Sequence, residues 1–278
     1  MADPRGRARA RAARHALQHG EDVLIRLGRI AYANMAPAFY DLGGIEVEQV
    51  TGVPTQLNRM LIDGEIDVAP ISSIEYARNP AKLTLLPRLC VSSEGAVDSI
   101  QLITRKPLEH VRSVAVTPES ATSVVLTKVL LGDVELVPLD QPADAKMLIG
   151  DAALRSAFED PTPHHDLGRL WQERTGLPMV FAVWACREGV GEGLAELERA
   201  HLRSLALARS EPEHLARRAA EQYGWPAGFL ARYFEKLRYH FGPREQQGMM
   251  RFFELAHLAG ELPAVPELRF ADTQPVGV

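Results

Sequence analysis

The sequence predicts an α/β protein of two lobes, with a hinged cleft between them and a helical C-terminus. Three observations support this prediction. Short apolar runs alternate with turn residues and helical stripes between residues 23 and 151, a pattern typical of a parallel or mixed sheet covered by helices. The same order of elements occurs twice, with different residues each time. The length of 278 residues suits two domains of about 150 residues each.

The first α/β unit contains three predicted strands separated by one clear helix. The strands are predicted at 23–30, 45–50 and 68–71. Pro54 opens the helix, whose apolar residues repeat at helical spacing, and Gly64 ends it. The third strand ends at Ser72 and Ser73, where the next helix begins.

The second unit follows the same plan. Its strands are predicted at 99–104, 114–116 and 147–149. The middle strand leads into the run 120–123, which is followed by a helical stripe of valines and leucines. The last strand ends at Gly150 and Asp151. These strand ends place polar side chains where open α/β sheets bind their ligands.

The remaining segments complete the predicted domain plan. A strand at 179–186 precedes helices predicted at 194–209, 212–223, 226–240 and 243–259. Core packing is expected for their apolar stripes, and a partner-binding or dimer face is the alternative. The chain is therefore divided into an arginine-rich arm at 1–21, a first lobe at 22–104 and 185–278, and a second lobe at 105–184.

Charge is distributed unevenly along the chain. The formal net charge is -5, but residues 1–20 hold five arginines and one aspartate, which leaves -9 for the rest. A body this acidic is not expected to bind nucleic acid. The arm is interpreted as a disordered, solvated extension, with a helical nucleic-acid arm as the alternative. No apolar run approaches the ~18 residues of a membrane span, so no membrane partner is expected.

Several cofactor and compartment classes receive no support from the sequence. Cys90 and Cys186 lie far apart and form neither a disulfide framework nor a metal or redox pair. The first 21 residues lack the apolar segment of a secretion signal, so we expect a cytoplasmic protein. The neighbouring His164 and His165 are interpreted as a solvated loop, and neither a metal nor a nucleotide cofactor is expected.

Two pairs of hydroxyl residues stand at predicted helix starts in different units. These pairs are Ser72 with Ser73 and Thr122 with Ser123. Helix N-termini reinforced by hydroxyl donors hold carboxylates without lysines. Direct ligand contact and simple helix capping are both open for these pairs.

The residues 57–69 show a helix, Gly64, an acidic residue and then a strand, which resembles the type II periplasmic-binding-protein fold. Four further segments resemble the chorismate dehydratase family of the futalosine route to menaquinone. They are Tyr-Ala-Asn-Met-Ala-Pro at 32–37, Ile-Ser-Ser-Ile-Glu-Tyr-Ala-Arg at 71–78, Ser-Ala-Thr-Ser at 120–123, and the run 175–184. The resemblance spans residues 23–270, and the four segments occur in the same order as in the family.

This resemblance implies a lyase that holds the chorismate dianion and removes its ring hydroxyl and a neighbouring ring proton. Asn34, at the family's characteristic loop position, is expected to donate to the leaving hydroxyl or to a carboxylate. Ser99 is expected to face the cleft, and Asp151 either orients a hydroxyl or caps a helix. No loop carries an obvious base, which suggests that a substrate carboxylate takes the proton, with Glu75 as the protein alternative. A cytosolic sensor that binds an aromatic acid without turnover is the second functional hypothesis.

Overall fold

The computed structural model describes residues 24–191 and 193–273, which form two α/β lobes. The arm predicted at 1–21 lies outside the described residues. The two-lobe α/β prediction is confirmed, because each lobe is built on its own mixed sheet. Among residues 24–191 and 193–273, no helix combines the length and apolar composition that a bilayer crossing requires.

The first lobe contains a six-stranded sheet in the order β11-β4-β10-β3-β1-β2. Its strands are β1 (Ile25–Ile30), β2 (Val47–Gly52), β3 (Val68–Ser72), β4 (Leu83–Ser93), β10 (Met179–Arg187) and β11 (Leu237–His240). β1 pairs in parallel with β2 and β3, whereas β10 pairs antiparallel with β3 and β4. All five residues of β3 are buried, as expected for a strand covered on both faces.

The second lobe repeats this arrangement in a five-stranded sheet ordered β7-β6-β8-β5-β9. Its strands are β5 (Ile100–Ile103), β6 (Ser113–Val116), β7 (Glu135–Pro138), β8 (Ala145–Ile149) and β9 (His164–Asp166). β6 pairs in parallel with β7 and β8, and β5 pairs antiparallel with β8. Thus β1 in the first lobe and β6 in the second lobe each lie between two parallel neighbours, and an antiparallel strand follows on one side of this parallel group.

Nine helices of four or more residues in the described part of the chain cover these sheets. They are α1 (Pro54–Asp63), α2 (Ser73–Arg78), α3 (Ala121–Leu131), α4 (Gly150–Glu159), α5 (Leu167–Thr175), α6 (Leu194–Ser210), α7 (Pro212–Tyr223), α8 (Ala227–Phe234) and α9 (Pro243–Leu258). As predicted, Pro54 begins α1 and Gly64 ends it in the left-handed conformation, with φ 79°. Two helices begin with side-chain caps, in which Ser120 accepts from the Ser123 N–H and Asp166 accepts from the Arg169 N–H.

The acid of the helix–glycine–acid–strand pattern is Asp67, which has a structural role. Its carboxylate accepts hydrogen bonds from the Arg26 guanidinium at 2.8 and 3.0 Å and from Arg187 at 2.5 Å. Burial alone would raise the pKa of Asp67, but the hydrogen bonds from these two arginines lower it to about 2. The ion pairs join β1, the start of β3 and the end of β10.

The sheets differ from the predicted lobe boundaries at both crossings. β5, predicted in the first lobe, belongs to the second sheet, and β10, predicted mostly in the second lobe, belongs to the first sheet. The chain crosses instead in the irregular segments 94–99 and 176–178. The physical reason is that both strands are buried along nearly their whole length, and such a strand shows no alternation that identifies its sheet.

Other segments also differ from the predicted elements. The helix predicted at 226–240 ends at Phe234, and residues 237–240 form the edge strand β11 against β4. β4 itself, with eleven residues, is not among the predicted strands. His164 and His165 lie in strand β9 rather than in a solvated loop, and the His164 ring is hydrogen-bonded to Ser156 and to the Thr162 carbonyl.

Candidate functional site

The strand ends that the sequence singles out meet in the cleft between the lobes. The carboxyl end of β1 leads into a 3₁₀ turn, Ala33–Met35, and that of β3 leads into α2. From the second lobe, β6 leads to the start of α3 and β8 leads to the start of α4. Ser99 reaches the same edge because β5 runs antiparallel to β8, with Ile100 paired to Ile149.

The 3₁₀ turn that carries Asn34 is held by side chains from both lobes. The Tyr32 hydroxyl donates to the Glu119 carboxylate at 2.7 Å, and the Ala33 N–H donates to the Asp151 carboxylate at 3.5 Å. The Tyr239 hydroxyl donates to the Asn34 main-chain carbonyl at 2.5 Å. The amide oxygen of Asn34 is buried and has no hydrogen-bond partner among the residues that the structure describes. The turn is thus anchored, while its central side chain keeps an unused acceptor.

Gly150 allows the second lobe to approach this turn closely. Its φ is +57°, and a Cβ at this position would lie 2.9 Å from the Tyr32 ring. The next residue, Asp151, is half-buried in the first turn of α4 and does not cap that helix through its side chain. Burial raises the pKa of Asp151, against the opposing effects of the Ala33 N–H and the nearby Arg155.

Ser99 lies beside Tyr233, which is buried. The main-chain carbonyl of Ser99 accepts from the Gly150 N–H at 2.7 Å, and its side chain is buried. Burial raises the pKa of Tyr233 far above its ordinary value, whereas the hydrogen bond that this tyrosine makes with Ser99 opposes the rise. The negative charge of Asp151 also raises the pKa of Tyr233.

The four hydroxyl residues at the helix starts divide into two kinds. Ser73 and Thr122 face each other across the cleft, with 3.2 Å between their oxygens. Because the Ser73 hydroxyl donates its one proton to the Val180 carbonyl at 2.8 Å, Thr122 is the donor between them. Ser72 is bonded instead to Asn58, and Ser123 to the capping Ser120.

The remaining candidates for acid–base or metal chemistry are engaged elsewhere. Glu75 forms a 2.8 Å ion pair with Arg78, three residues on in α2. In the part of the chain that the structure describes, no group of three or more His, Cys, Asp or Glu side chains is arranged to bind a metal. A surface pocket of about 380 Å³ lies beside His165 and Arg169, and its lining includes none of the candidate site residues.

Four residues of the candidate site were not predicted from the sequence, namely Tyr32, Glu119, Tyr233 and Tyr239. Tyr32 lies two residues before Asn34, and Glu119 directly precedes the run 120–123, so their closeness to predicted site positions is a signal that could have found them. The two later tyrosines lie in the segment predicted as one helix, so nothing in the pattern placed them near Asn34.

Comparison with known proteins gives concordant results for most of the chain. A family described as menaquinone biosynthesis matches residues 25–258. A chorismate dehydratase from Thermus thermophilus is 34% identical over 262 residues, covering 82% of this chain and 93% of the relative. A chorismate dehydratase from Campylobacter jejuni is 36% identical over 167 residues, covering 57% of this chain and 66% of the relative.

A solved structure supports the fold. A Candida albicans protein with the generic periplasmic binding protein fold superimposes with a TM-score of 0.67, covering 87% of this chain and 92% of that one. At 12% identity this likeness concerns the fold alone.

Proposed function

This chain belongs to the chorismate dehydratase family of menaquinone biosynthesis and is a hydro-lyase that acts on chorismate, and we propose that the reaction takes place in the cleft beside Asn34. The observation that carries this placement is the buried, unpartnered amide oxygen of Asn34, in a turn that both lobes of the described structure hold. An anchored turn with a free amide offers a fixed donor and acceptor to a bound molecule.

The reaction breaks one C–O and one C–H bond of the chorismate ring and gives 3-(1-carboxyvinyloxy)benzoate and water. Aromatisation of the ring supplies the driving force. We propose that the Asn34 amide N–H donates to the departing hydroxyl, which is the one hydroxyl of chorismate, or to a substrate carboxylate. Asp151 then orients the substrate through its remaining carboxylate oxygen.

The proton acceptor in this proposal is a carboxylate of the substrate. The proton leaves the ring carbon for that carboxylate, the C–H electron pair enters the aromatic ring, and the departing hydroxide then takes up the proton as water. Glu75 is poorly placed to act as the base because its carboxylate is paired with Arg78. Positioning thus accounts for most of the catalysis.

Ser73 and Thr122 are the hydroxyl pair that we propose for contact with a substrate carboxylate, together with Ser99 at the neighbouring strand end. They come from different lobes and are hydrogen-bonded to each other at 3.2 Å, so contact with a carboxylate requires that Thr122 exchange this hydrogen bond for one to the substrate. Ser72 and Ser123 are proposed to support this pair through Asn58 and Ser120. Buried, unbridged Cys90 and Cys186 are in keeping with a reducing, cytoplasmic compartment.

The test is direct. Purified protein is incubated with chorismate, and the ultraviolet spectrum is followed for an aromatic product against a sample without protein, with and without a chelator. We expect product formation that chelation leaves unchanged. Binding of chorismate without turnover would instead favour the non-catalytic sensor, and activity restored only by an added metal would contradict the metal-free reaction.

A further inference from the structure

Tyr239 reaches the candidate site from the far end of the chain. It lies in the edge strand β11, and its hydroxyl donates to the Asn34 carbonyl at 2.5 Å across 205 positions of sequence. The pairing of β11 with β4 is irregular between Arg238 and His240, at Tyr239 itself. Such irregularities in an edge strand redirect a side chain. Here the side chain of Tyr239 points to the turn that carries Asn34.

This contact differs from the other two that hold the turn. Tyr32 and Ala33 are bonded to Glu119 and Asp151 of the second lobe, so these hydrogen bonds depend on how the lobes sit together. Tyr239 and Asn34 both belong to the first lobe. Their hydrogen bond is therefore independent of the distance between the lobes, and it fixes the turn before and after a substrate enters.

We propose that Tyr239 is a positioning residue for the dehydration, because its hydroxyl holds the Asn34 main chain so that the Asn34 amide faces the substrate. The proposal rests on the function proposed above for Asn34. It also assigns a purpose to the short strand β11, which carries this hydroxyl to the cleft.

Tyr239→Phe removes the hydroxyl and keeps the ring, so the variant tests the hydrogen bond alone. We expect kcat to fall about tenfold with KM within about twofold, because a loosened turn misaligns a group that acts in the transition state. Tyr76→Phe is the matched control. The Tyr76 hydroxyl also donates to a main-chain carbonyl, that of Glu267 at 2.8 Å, and in addition accepts from the Arg269 N–H at 2.7 Å. This control should lose at least as much thermal stability as Tyr239→Phe and keep its kcat.

A double-mutant cycle separates positioning from a general structural effect. If Tyr239 acts through Asn34, Tyr239→Phe should cost less than about twofold in the Asn34→Ala background. An equal loss in both backgrounds, or an unchanged kcat in Tyr239→Phe, would overturn the positioning role. Turnover at the parental rate in Asn34→Ala would overturn it as well, because Asn34 would then have no role in the reaction that Tyr239 could support. Failure of the unmodified protein to convert chorismate would instead reject the proposed function.

Discussion

The two lobes share one strand arrangement but present different chemistry at the cleft. In the first lobe, the loop after the first strand carries the uncharged Asn34, with an amide oxygen that has no partner in the described structure. In the second lobe, the equivalent strand ends carry Glu119 and Asp151, whose carboxylates reach across to the first lobe. The repeated fold thus provides equivalent positions, and the residue at each position determines what that position does. In the function proposed above, the first lobe presents the amide that acts on the substrate, and the second lobe helps to hold the turn that carries it.

The pKa values of buried ionisable groups also differ between the two lobes. In the first lobe, burial lowers the pKa of His201 to about 4, and the paired arginines lower that of Asp67 to about 2. In the second lobe, burial raises the pKa of Asp151 and of Asp166. The first-lobe groups therefore resist protonation in the folded protein, whereas the buried second-lobe carboxylates accept protons more readily than in the unfolded chain. The two lobes should respond differently to acid.

Acid is expected to destabilise the first lobe, chiefly through His201. The Trp184 N–H donates to its Nε2, so its Nδ1–H donates to the Ala38 carbonyl and the ring is neutral. Below pH 6.5 the unfolded chain binds a proton that the folded protein refuses until about pH 4, so stability falls across this window. A shift of this size corresponds to roughly 3 kcal/mol.

Urea unfolding measured from pH 7 to pH 4 checks this prediction. His201→Gln removes the titrating ring, so its free energy of unfolding should depend less on pH across that window. Amide hydrogen exchange at about pH 4.5 should show protection lost around α6 before it is lost in the second sheet. Equal pH dependence in parent and variant would show that His201 does not cause the acid sensitivity.

Substitution of Asn34 tests whether the first lobe carries the amide that acts on the substrate. Asn34→Ala deletes the amide, and Asn34→Asp places a negative, acceptor-only group beside a dianionic substrate. Losing one aimed donor costs about 3 kcal/mol of transition-state stabilisation, or roughly a hundredfold in kcat. Both variants should keep the parental melting temperature within a few degrees, because the side chain makes no hydrogen bond to the described protein through its oxygen.

Turnover and thermal unfolding are measured together on these two variants. Ser72→Ala is a useful comparison, since Ser72 is bonded to Asn58 inside the first lobe and should affect stability more than kcat. If the Asn34 variants turn over within about threefold of the parent, a loss of only ~0.7 kcal/mol, Asn34 is not catalytic.

Local sequence patterns predicted where the candidate site residues lie in the fold better than they predicted the contacts among those residues. Residues 34, 72–73, 120–123 and 150–151 lie at strand ends in the structure, as the alternation of elements predicted. This succeeded because strand ends depend on nearby turn residues and periodicity. Which strand ends meet, and which side chains of other elements reach them, depends on long-range pairing instead.

Tyr239 and β5 illustrate that limit. The apolar spacing of 226–240 fits a helix, and the four-residue strand that replaces its end is stabilised by pairing with β4, about 150 residues earlier. Likewise, all four residues of β5 are buried, so its sequence contains no sign of which sheet it joins. The hydroxyl that holds Asn34 was therefore visible only in the assembled fold.

An aromatic contact between the lobes allows their association to be tested apart from the chemistry. Phe158 of α4 lies 5.0 Å from Phe229 and 6.0 Å from Trp225, measured between ring centroids, and both partners belong to the first lobe. The Arg155 guanidinium lies 5.3 Å from the centre of the Trp225 ring. Phe158 is 62% exposed, an unusual position for a large apolar side chain that serves only its own lobe.

Phe158→Ala is expected to have the smallest effect, limited to substrate binding. Losing an aromatic pair costs about 1 kcal/mol, which corresponds to an increase of roughly fivefold in KM. The value of kcat should stay within about twofold, because Asn34 keeps its contacts once the lobes meet around the substrate. Phe270→Ala is the matched control, since Phe270 is also partly exposed but its aromatic partner Phe241 lies in the same lobe. Steady-state kinetics on both variants test this prediction. An equal KM in the two variants would mean that the aromatic contact does not help the lobes to associate around the substrate.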